Sequence, residues 1–581
     1  MKRGAYMGYM DVYKKWCEDT CFDAATRAEL AALAGNEKEI EDRFYKDLDF
    51  GTGGLRGVTG AGTNRMNIYT VRRATQGLAN YILKQSDNGK QMGVAIAHDS
   101  RNFSPEFTEA AALVLCGNGI KTYVFDSLRP TPALSFAVRR QGCIAGIVIT
   151  ASHNPPEYNG YKVYWSDGGQ IPYPRDEAVI TEVNAVTDFA SIPTMDKTKA
   201  VAKGLLVVLG KEVDDEYIEN VKAQSVCPGI AKQIGDNFKI VYTPLHGTGN
   251  LPVRRALAEM GFANVYVVPE QEYPDGNFPT VSYPNPEDPK AFALAMKLAD
   301  ETGADIICAT DPDADRVGAV VRDNNGDYVI LTGNMTGALI TEYILSNKKA
   351  AGTLPADGAV ISTIVSTDMT KEIAKAYGVA YFDVLTGFKY IGEKIKEFEE
   401  SASHTYLFGF EESYGCLAGT YARDKDAVVA AVLICELAAH YKSCGMSLYD
   451  GLLALYAKYG FYKETIESIT MKGVEGVASI RRMMSDLREN PPTAVGGIEI
   501  AEMRDYQTGI ITYANGQTAP TGLPVSDVLY GALADGSWFA IRPSGTEPKI
   551  KIYFGVKGES LAGADKKLTA FASAVMDIVQ G

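Results

Sequence analysis

The stretch Gly146-Ile-Val-Ile-Thr-Ala-Ser-His-Asn-Pro-Pro156 decides how the rest of the chain is interpreted. Its first residues continue a strand-like run from Cys143 to Thr150, and the two prolines force the chain to turn directly after Ser152. A hydroxyl at the tip of a strand, with the imidazole of His153 beside it, is where a nucleophile would sit. Taken alone, the pattern is more often a polar turn that bonds its own backbone, so its meaning depends on the other motifs.

Composition and charge limit the possible classes of protein. The chain has 581 residues, of which 46% are hydrophobic and 22% charged, a mix typical of soluble globular proteins with several domains. The net charge of −15 argues against nucleic acid or an anionic membrane surface as a partner. Nine scattered cysteines without a C-x-x-C pair predict a reduced, cytoplasmic protein with no zinc site. We expect no secretory signal and no membrane span.

Strands and helices alternate along most of the chain, which predicts parallel α/β units. Three such passes precede a last part with strand-like runs and one apolar helical face, which predicts a smaller α+β domain. The polar segment 187–204 is interpreted as a linker. The predicted organisation is an N-terminal helical extension at 1–45, α/β domain I at 46–205, α/β domain II at 206–325, α/β domain III at 326–460 and α+β domain IV at 461–581.

A second motif, Asp311-Pro-Asp-Ala-Asp-Arg316, follows a predicted strand that ends at Ala309. Three alternating carboxylates in a tight loop can converge on one hard cation. A calcium EF-hand is excluded because Arg316 and Arg322 stand where that loop needs Gly and Glu. Three carboxylates leave coordination positions for a phosphate oxygen, which is the arrangement that a catalytic Mg²⁺ prefers.

Three further loops carry polar groups suited to a sugar phosphate. Gly409-Phe-Glu-Glu-Ser-Tyr-Gly415 offers carboxylates and a hydroxyl to a polyol, and Arg542-Pro-Ser-Gly-Thr-Glu-Pro-Lys549 forms a phosphate cradle. The glycine-rich Asp49–Gly57 is interpreted as a loop whose Arg56 reaches an anion. Each pattern alone also fits an ordinary turn. Together with Ser152 and the acidic loop, they indicate a phosphosugar phosphotransferase.

These loops, in this order, resemble the signature loops of the α-D-phosphohexomutase superfamily, and more specifically those of its phosphoglucomutase branch. The resemblance extends from about residue 45 to the end of the chain and rests on Thr150–Pro155, Asp311–Arg316, Gly409–Gly415 and Arg542–Thr546. It implies an α/β protein of three similar α/β domains with mixed sheets and a smaller C-terminal α+β domain, arranged around a central cleft.

The resemblance also implies a role for individual residues. Ser152 would carry the phosphoryl group, and the catalytic set would be Ser152, Arg56, His153, Lys162 and Lys425. Mg²⁺ would be held by the Ser152 phosphate with Asp311, Asp313 and Asp315. The residues that would bind substrate are Arg316, Thr386, Gly387, Glu411, Ser413, Arg542, Ser544, Gly545 and Thr546.

The implied reaction interconverts glucose 1-phosphate and glucose 6-phosphate through a phosphoserine enzyme and glucose 1,6-bisphosphate. One residue departs from the family pattern. Phe410 stands where close members have Gly, and a bulky residue there is similar to the phosphopentomutases, whereas Ser413 is similar to the hexose enzymes. Phosphopentomutase and phosphomannomutase activity are therefore alternatives, as are a phosphatase and a non-catalytic phosphosugar sensor. The expected partner is a phosphosugar, and the expected state is a monomer or homodimer.

Overall fold

The computed structural model describes residues 8–51, 53–471, 473–544 and 549–580. These residues divide into two compact units. The first unit contains the chain up to Val320 together with Gly392–Lys396 and Gly415–Ala439. The second unit contains Val321–Ile391, Glu397–Tyr414 and the chain from His440 onward. Predicted domain I and predicted domain II as far as Val320 lie in the first unit, and domain IV with most of domain III lies in the second.

The first unit begins with three short helices, α1 (Tyr9–Glu18), α2 (Ala24–Ala31) and α3 (Glu37–Phe44). Asp23 and Asn36 cap α2 and α3 by accepting backbone N–H groups, which satisfies donors that a helix start leaves unpaired. Trp16 is 2% exposed, and its ring lies 5.8 Å from that of Tyr69, the second residue of the first long helix of domain I. The N-terminal extension therefore packs on domain I through aromatic side chains.

The sheet of domain I holds the strand that precedes Ser152. Its strands are β1 (Phe50–Gly51), β2 (Gly54–Val58), β3 (Val94–His98), β4 (Thr122–Phe125), β5 (Ala145–Ile149), β6 (Tyr158–Trp165) and β7 (Leu206–Leu209). They lie in the order β1-β2-β6-β5-β3-β4-β7. The pairs β5–β3, β3–β4 and β4–β7 are parallel, and β1–β2, β2–β6 and β6–β5 are antiparallel.

Helices cover this sheet. They are α4 (Ile68–Gln85), α5 (Gly89–Met92), α6 (Ser104–Gly117), α7 (Thr131–Gln141), α8 (Arg175–Ala185) and α9 (Lys197–Ala202). Every residue of β5 is buried, as is typical of a strand that is covered on both faces. Its continuous apolar run is what made this strand predictable from the sequence.

The polar segment 187–204 is not a linker, so that prediction is wrong. Ala200 of α9 is fully buried in the core of domain I. A Cβ atom at Gly117 of α6 would lie 2.5 Å from the carbonyl oxygen of Pro193, so the segment packs directly on that helix. Because β7 pairs with β4, the first sheet also extends to Leu209, beyond the predicted boundary at residue 205.

Domain II carries the acidic loop. Its strands up to Val320 in the first unit are β8 (Lys239–Thr243), β9 (Asn264–Val267), β10 (Ile306–Thr310) and the first four residues of β11 (Val317–Arg322). Its helices are α10 (Lys211–Lys222), α11 (Ile230–Ile234), α12 (Asn250–Met260) and α13 (Ala293–Thr302). β8 pairs in parallel with β9 and β10, whereas β11 returns antiparallel to β10. The acidic loop is the turn between those last two strands.

The second unit contains β12 (Tyr328–Leu331) and the α/β elements of domain III. These are α14 (Gly333–Ala350), β13 (Gly358–Thr363), α15 (Met369–Tyr377), β14 (Ala380–Val384), α16 (Phe388–Ser401) and β15 (Thr405–Phe410). β13 pairs in parallel with β14 and β15. The next elements, β16 (Cys416–Ala418) and α17 (Ala427–Ser443) as far as Ala439, belong to the first unit, where α17 is buried.

Domain IV follows α18 (Leu448–Tyr459). Its helices are α19 (Gly473–Glu489) and α20 (Leu561–Gln580). Its strands are β17 (Phe461–Thr470), β18 (Ala494–Val495), β19 (Ile498–Asp505), β20 (Ile510–Tyr513), β21 (Thr518–Pro520), β22 (Leu529–Leu533), β23 (Trp538–Pro543) and β24 (Lys549–Gly558). The sheet order β17-β24-β23-β22-β19-β20-β21 is antiparallel throughout.

Three α/β domains with an antiparallel C-terminal domain therefore confirm the predicted fold class. Within the described ranges, no single helix is both long and apolar enough to cross a bilayer, and only the bent pair formed by residues 427–443 and 448–459 satisfies that test jointly.

Candidate active site

Ser152 lies on a strained turn at the carboxyl end of β5. Its φ of 53° is in the left-handed region, which a residue with a side chain adopts at a cost, and such strain is common at functional sites. The side chain is almost completely buried. Its Oγ donates a hydrogen bond of 2.8 Å to Oδ2 of Asp311 and lies 3.2 Å from Nδ1 of His153. The predicted nucleophile and the predicted metal loop are thus in direct contact.

Two strands that the sequence did not reveal bring basic side chains to this turn. β6 pairs with β5, placing Lys162 opposite Val148, and β2 pairs with β6, placing Arg56 opposite Gly160. Arg56 therefore lies on a strand rather than in the predicted glycine-rich loop, and its Nη1 donates to Oδ1 of Asn154 at 3.2 Å. Gly160 is required because a Cβ atom there would lie 2.4 Å from the backbone oxygen of Thr150.

The acidic loop forms a compact set of three carboxylates. Asp311, Asp313 and Asp315 are buried, and one oxygen from each lies within 4.8 Å of the others. Among the described residues, Oδ1 of Asp313 and Oδ1 of Asp315 receive no hydrogen bond, although both atoms are buried. Buried carboxylate oxygens without a donor are suited to a cation, and an all-oxygen set is what Mg²⁺ prefers. The residues therefore fit the Mg²⁺ site that was predicted.

Two lysine ammonium groups contact this triad. Lys162 Nζ lies 2.9 Å from Oδ2 of Asp313 and 3.5 Å from Oδ2 of Asp315. Lys425 Nζ lies 3.1 Å from the same oxygen of Asp315 and 3.3 Å from Asp424. Lys425 precedes the buried helix α17 in the first unit, so the structure places this predicted sugar-site lysine at the carboxylate triad.

Burial and neighbouring charges shift the pKa values of the triad in opposite directions. Burial, followed by the charges of Asp313 and Asp315, raises the pKa of Asp311 well above its usual range. Burial alone would do the same to Asp313, but Lys162 and a hydrogen bond with Asp311 hold the pKa of Asp313 far below its usual range. Burial opposes the charge of Lys162, yet the two aspartates raise the pKa of Lys162 overall, so it stays protonated.

His153 is a neutral imidazole at neutral pH. Burial, followed by the positive charges of Arg316 and Arg56, lowers the pKa of His153 well below its usual value. Arg316 itself pairs with Glu287 and lies 3.7 Å from Oδ1 of Asp315. The predicted substrate residue Arg316 is therefore beside the triad, where it adds positive charge next to His153.

Three residues that support this site had not been predicted from the sequence. Thr131, at the start of α7, donates its Oγ1 to Oδ2 of Asp313 at 3.0 Å. Tyr164 on β6 donates to Asp424 at 2.6 Å, next to Lys425. The third is Arg101, which binds backbone oxygens of the Ser152 turn. The available signal was position, since Arg101 follows β3, the neighbour of β5, and Thr131 follows β4, the next strand of the same sheet.

The predicted sugar-binding residues lie in the second unit. Glu411 is 5% exposed, and its Oε1 accepts a hydrogen bond of 3.0 Å from the backbone N–H of Gly387. Oγ1 of Thr386 is buried and has no hydrogen-bond partner among the described residues, so a ligand hydroxyl would satisfy it. Ser413 is half-buried two residues after Glu411. The structure thus brings Gly387 and Glu411 together.

Phe410 does not belong to the polar part of this loop. It is 1% exposed, and its ring lies 6.0 Å from that of Phe408 in the domain core. A Cβ atom at Gly337 of α14 would lie 2.3 Å from the Phe410 ring, so this glycine makes room for the aromatic side chain. The departure at Phe410 is therefore a packing pair with Gly337 and not a group that faces a sugar.

The predicted phosphate-binding residues occupy the end of β23. Arg542 is half-buried on this strand opposite Lys551, and Ser544 follows it, donating its backbone N–H to the oxygen of Lys549 at 2.7 Å. Gly545 and Thr546 lie outside the described residues. Burial, followed by the charge of Glu412, raises the pKa of Tyr553, and the charge and hydrogen bond of Arg542 offset only part of that rise. Arg542 and the Gly409–Gly415 loop therefore both have Tyr553 as a neighbour.

Comparison with known proteins gives matches along nearly the whole chain. Four models of phosphoglucomutase/phosphomannomutase domains match, namely alpha/beta/alpha domain I at residues 47–189, domain II at 215–326, domain III at 332–459 and the C-terminal domain at 493–565. A phosphoglucomutase of Staphylococcus aureus strain MRSA252 is 37% identical over 539 residues, covering 92% of this chain and 94% of the relative. That of strain MSSA476 is 36% identical with the same coverage.

Two solved structures show the same fold. The parafusin (phosphoglucomutase) of Paramecium, in an open form, has a TM-score of 0.66 at 17% identity and covers 92% of this chain and 95% of its own. A phosphoglucomutase/phosphomannomutase family protein of Burkholderia thailandensis has a TM-score of 0.64 at 19% identity, with 92% and 98% covered. With the identity to the staphylococcal proteins and the matches to all four domains, the chain belongs to the phosphoglucomutase/phosphomannomutase family of the α-D-phosphohexomutase superfamily.

Proposed function

We propose that this chain is a phosphoglucomutase that interconverts glucose 1-phosphate and glucose 6-phosphate, with Ser152 as the phosphoryl carrier. The observation that carries the proposal is the contact of 2.8 Å between Oγ of Ser152 and a carboxylate of the buried triad. A hydroxyl held against a cation site, with Lys162 and Lys425 bound to the same carboxylates, suits phosphoryl transfer. The identity of 37% to a phosphoglucomutase supports the same activity.

In the proposed reaction, Lys425 first gives its ammonium proton to solvent. The 6-hydroxyl of glucose 1-phosphate then loses its proton to the Lys425 amine and attacks the phosphorus of phospho-Ser152. The bond from phosphorus to Oγ breaks, and Oγ takes a proton from Lys162. The resulting glucose 1,6-bisphosphate reorients by half a turn in the site, so that its 1-phosphate faces Ser152. The 1-phosphate is then transferred to Ser152 by the same steps in reverse. Glucose 6-phosphate then leaves, and the enzyme is again phosphorylated.

The chain's residues contribute position and charge rather than covalent chemistry. Asp311, Asp313 and Asp315, together with the Ser152 phosphate, would hold Mg²⁺, whose charge would stabilise the transferring group. Arg56 and neutral His153 lie beside Ser152, where both can donate hydrogen bonds to phosphate oxygens. Because Ser152 is 3% exposed, its surroundings also limit the access of water to a phosphoserine.

In the second unit, Glu411, Gly387 and Thr386 are proposed to orient the sugar, and Arg542 with Ser544 to bind the phosphate that does not react. Oγ1 of Thr386, which is buried and has no hydrogen-bond partner in the part of the chain that the structure describes, supports the first role. Glucose is proposed in preference to a pentose, because Phe410, whose bulk had indicated a pentose, is buried in the core. The nine cysteines, all within the described residues, form no disulfide, which supports a cytoplasmic location.

A coupled turnover assay tests this proposal. The full chain, with Mg²⁺ and a trace of glucose 1,6-bisphosphate, is given glucose 1-phosphate, mannose 1-phosphate or ribose 1-phosphate. We expect the highest kcat/KM with glucose 1-phosphate. Ser152→Ala should show no turnover, whereas the control Ser443→Ala, at an exposed serine, should retain full activity. Preference for ribose would move the assignment to phosphopentomutase. Release of inorganic phosphate in place of the isomer would indicate a phosphatase.

A further inference from the structure

We propose that Arg101 and Phe278 form a positioning pair that holds the Ser152 turn of domain I in register with the acidic loop of domain II. The inference rests on the proposed role of Ser152 and assigns functions to residues that bind neither sugar nor phosphate. Both residues belong to the first unit and are 1% exposed.

The Arg101 guanidinium binds the Ser152 turn by donating hydrogen bonds to backbone carbonyl oxygens of that turn. Nη2 donates to the carbonyl oxygen of Ser152 at 2.6 Å and also to that of Asn154. Nη1 donates to the oxygens of Pro155 at 2.7 Å and Tyr158 at 3.1 Å. One planar cation therefore fixes four carbonyl groups across residues 152–158. Such fixed donors offset the cost of the left-handed conformation at Ser152.

The position of Arg101 is itself set by its neighbours in domain I. Asp99 accepts the backbone N–H of Arg101 at 2.9 Å, and the two side chains form a fully buried ion pair at 3.4 Å. Ser104 donates to the same carboxylate at 2.8 Å. Because a buried cation is costly unless it is paired, Asp99 explains why a guanidinium can be held here.

Phe278 of domain II packs against the guanidinium. Its ring centroid lies 5.0 Å from the central carbon of Arg101, within the range of a cation–π contact. The adjacent backbone is equally close, since a Cβ atom at Gly276 would lie 2.4 Å from the backbone nitrogen of Asn102. Asn102 also donates to Asn277 at 2.9 Å. The domain II segment around Phe278 is therefore fitted onto the Arg101 loop.

This segment is connected to the acidic loop by a short chain of contacts. The ring of His246 lies 6.5 Å from that of Phe278, and its two nitrogens contact the oxygen of Tyr273 at 3.1 Å and Oγ1 of Thr280 at 3.0 Å. Two residues later, the backbone N–H of Thr248 donates to the oxygen of Pro312 at 2.8 Å.

Pro312 lies between the first two carboxylates of the triad. A continuous set of contacts thus joins the Arg101 guanidinium to the metal loop, in the order Phe278, His246, Thr248 and Pro312. Reacting groups that are misplaced by about 1 Å can lose on the order of 100-fold in rate, so a pair that fixes this register affects turnover without touching substrate.

The test compares Phe278→Leu, Phe278→Ala and Phe278→Tyr with the control Tyr283→Ala, which removes a ring that is 51% exposed in the same part of domain II. We expect kcat for glucose 1-phosphate to fall about 10- to 100-fold in Phe278→Ala with little change in KM. The leucine variant keeps the apolar volume but loses the aromatic face, so its kcat should also fall. The tyrosine variant keeps that face and should recover most of the activity.

A second measurement does not depend on activity. Amide hydrogen exchange of residues 150–158 should be faster in Phe278→Ala than in the wild type and unchanged in Tyr283→Ala. Wild-type exchange in this segment and wild-type kcat in both Phe278→Leu and Phe278→Ala would overturn the inference. A wild-type chain without mutase activity would instead defeat the proposed function, while the exchange result would still decide whether Phe278 holds the turn.

Discussion

Replacing Phe410 by Ala tests whether this residue serves packing or sugar selection. The side chain is 1% exposed and fills the space above Gly337. Truncating a buried Phe typically destabilises a protein by about 3–5 kcal/mol, because it loses the transfer free energy and leaves a cavity. We therefore expect Phe410→Ala to be destabilised by about that amount, with an unchanged ratio of kcat/KM for glucose 1-phosphate and ribose 1-phosphate.

A double-mutant cycle with Gly337 makes the prediction more specific. In the wild type, Gly337→Ala places a methyl group 2.3 Å from the Phe410 ring, and such overpacking costs about 1–3 kcal/mol. Once Phe410 is Ala, that methyl has room, and Ala in a helix is favoured over Gly by about 1 kcal/mol. The double variant should thus be more stable than the sum of the single effects by about 1–3 kcal/mol.

The assay is urea-induced unfolding of the four proteins, with turnover on both sugars measured in parallel. Additive free energies of unfolding would show that Phe410 and Gly337 do not contact each other. A stable Phe410→Ala that gains activity on ribose 1-phosphate would show that the ring faces the sugar, and would refute the packing argument.

Three further outcomes are expected. Lys162→Met should lower kcat by about 10²–10⁴-fold, because it removes a general acid. An unchanged kcat in steady-state kinetics would contradict this role. Thr131→Val removes a hydrogen bond to Asp313 and should raise the Mg²⁺ concentration for half-maximal activity about 10-fold, whereas an equal requirement would exclude that role. Burial, together with Asp368, raises the pKa of Glu464 from 4.5 to about 7. Such a raised pKa gives stability that is complete below the unfolded-state value and lost as pH rises through the folded-state value. Glu464→Gln should therefore be more stable than the wild type at about pH 8, by at most about 3 kcal/mol, and the difference should shrink toward about pH 5. The check is thermal unfolding of both proteins across this pH range. A stability difference between Glu464→Gln and the wild type that stays the same at every pH would contradict the raised pKa.

Sequence reasoning identified groups that carry a local pattern. The run at Ala145–Ile149 is apolar because the strand is buried on both faces, and Ser152 follows at the carboxyl end of this strand. The alternating carboxylates of Asp311–Arg316 also lie within one short loop, so their convergence could be predicted from local sequence. Both motifs are in contact in the structure, through Ser152 and Asp311.

Features that depend on pairing between distant segments were not predictable in this way. Arg56 was placed in a loop because four glycines suggest flexibility, yet the segment is a strand whose partner, β6, is about 100 residues away in the chain. Arg101 acts on backbone carbonyl groups, which leave no trace in residue types. Segment 187–204 resembled a linker because it is polar, although Ala200 is buried.

The central claim is that Ser152 carries the phosphoryl group. The most direct test is mass spectrometry of the peptide containing Ser152, after the full chain is incubated with Mg²⁺ and glucose 1,6-bisphosphate and then given glucose 1-phosphate. The account predicts one phosphoryl group on Ser152, removed by the sugar at a rate no slower than turnover. Turnover without phosphate on Ser152, or full activity of Ser152→Ala, would contradict it.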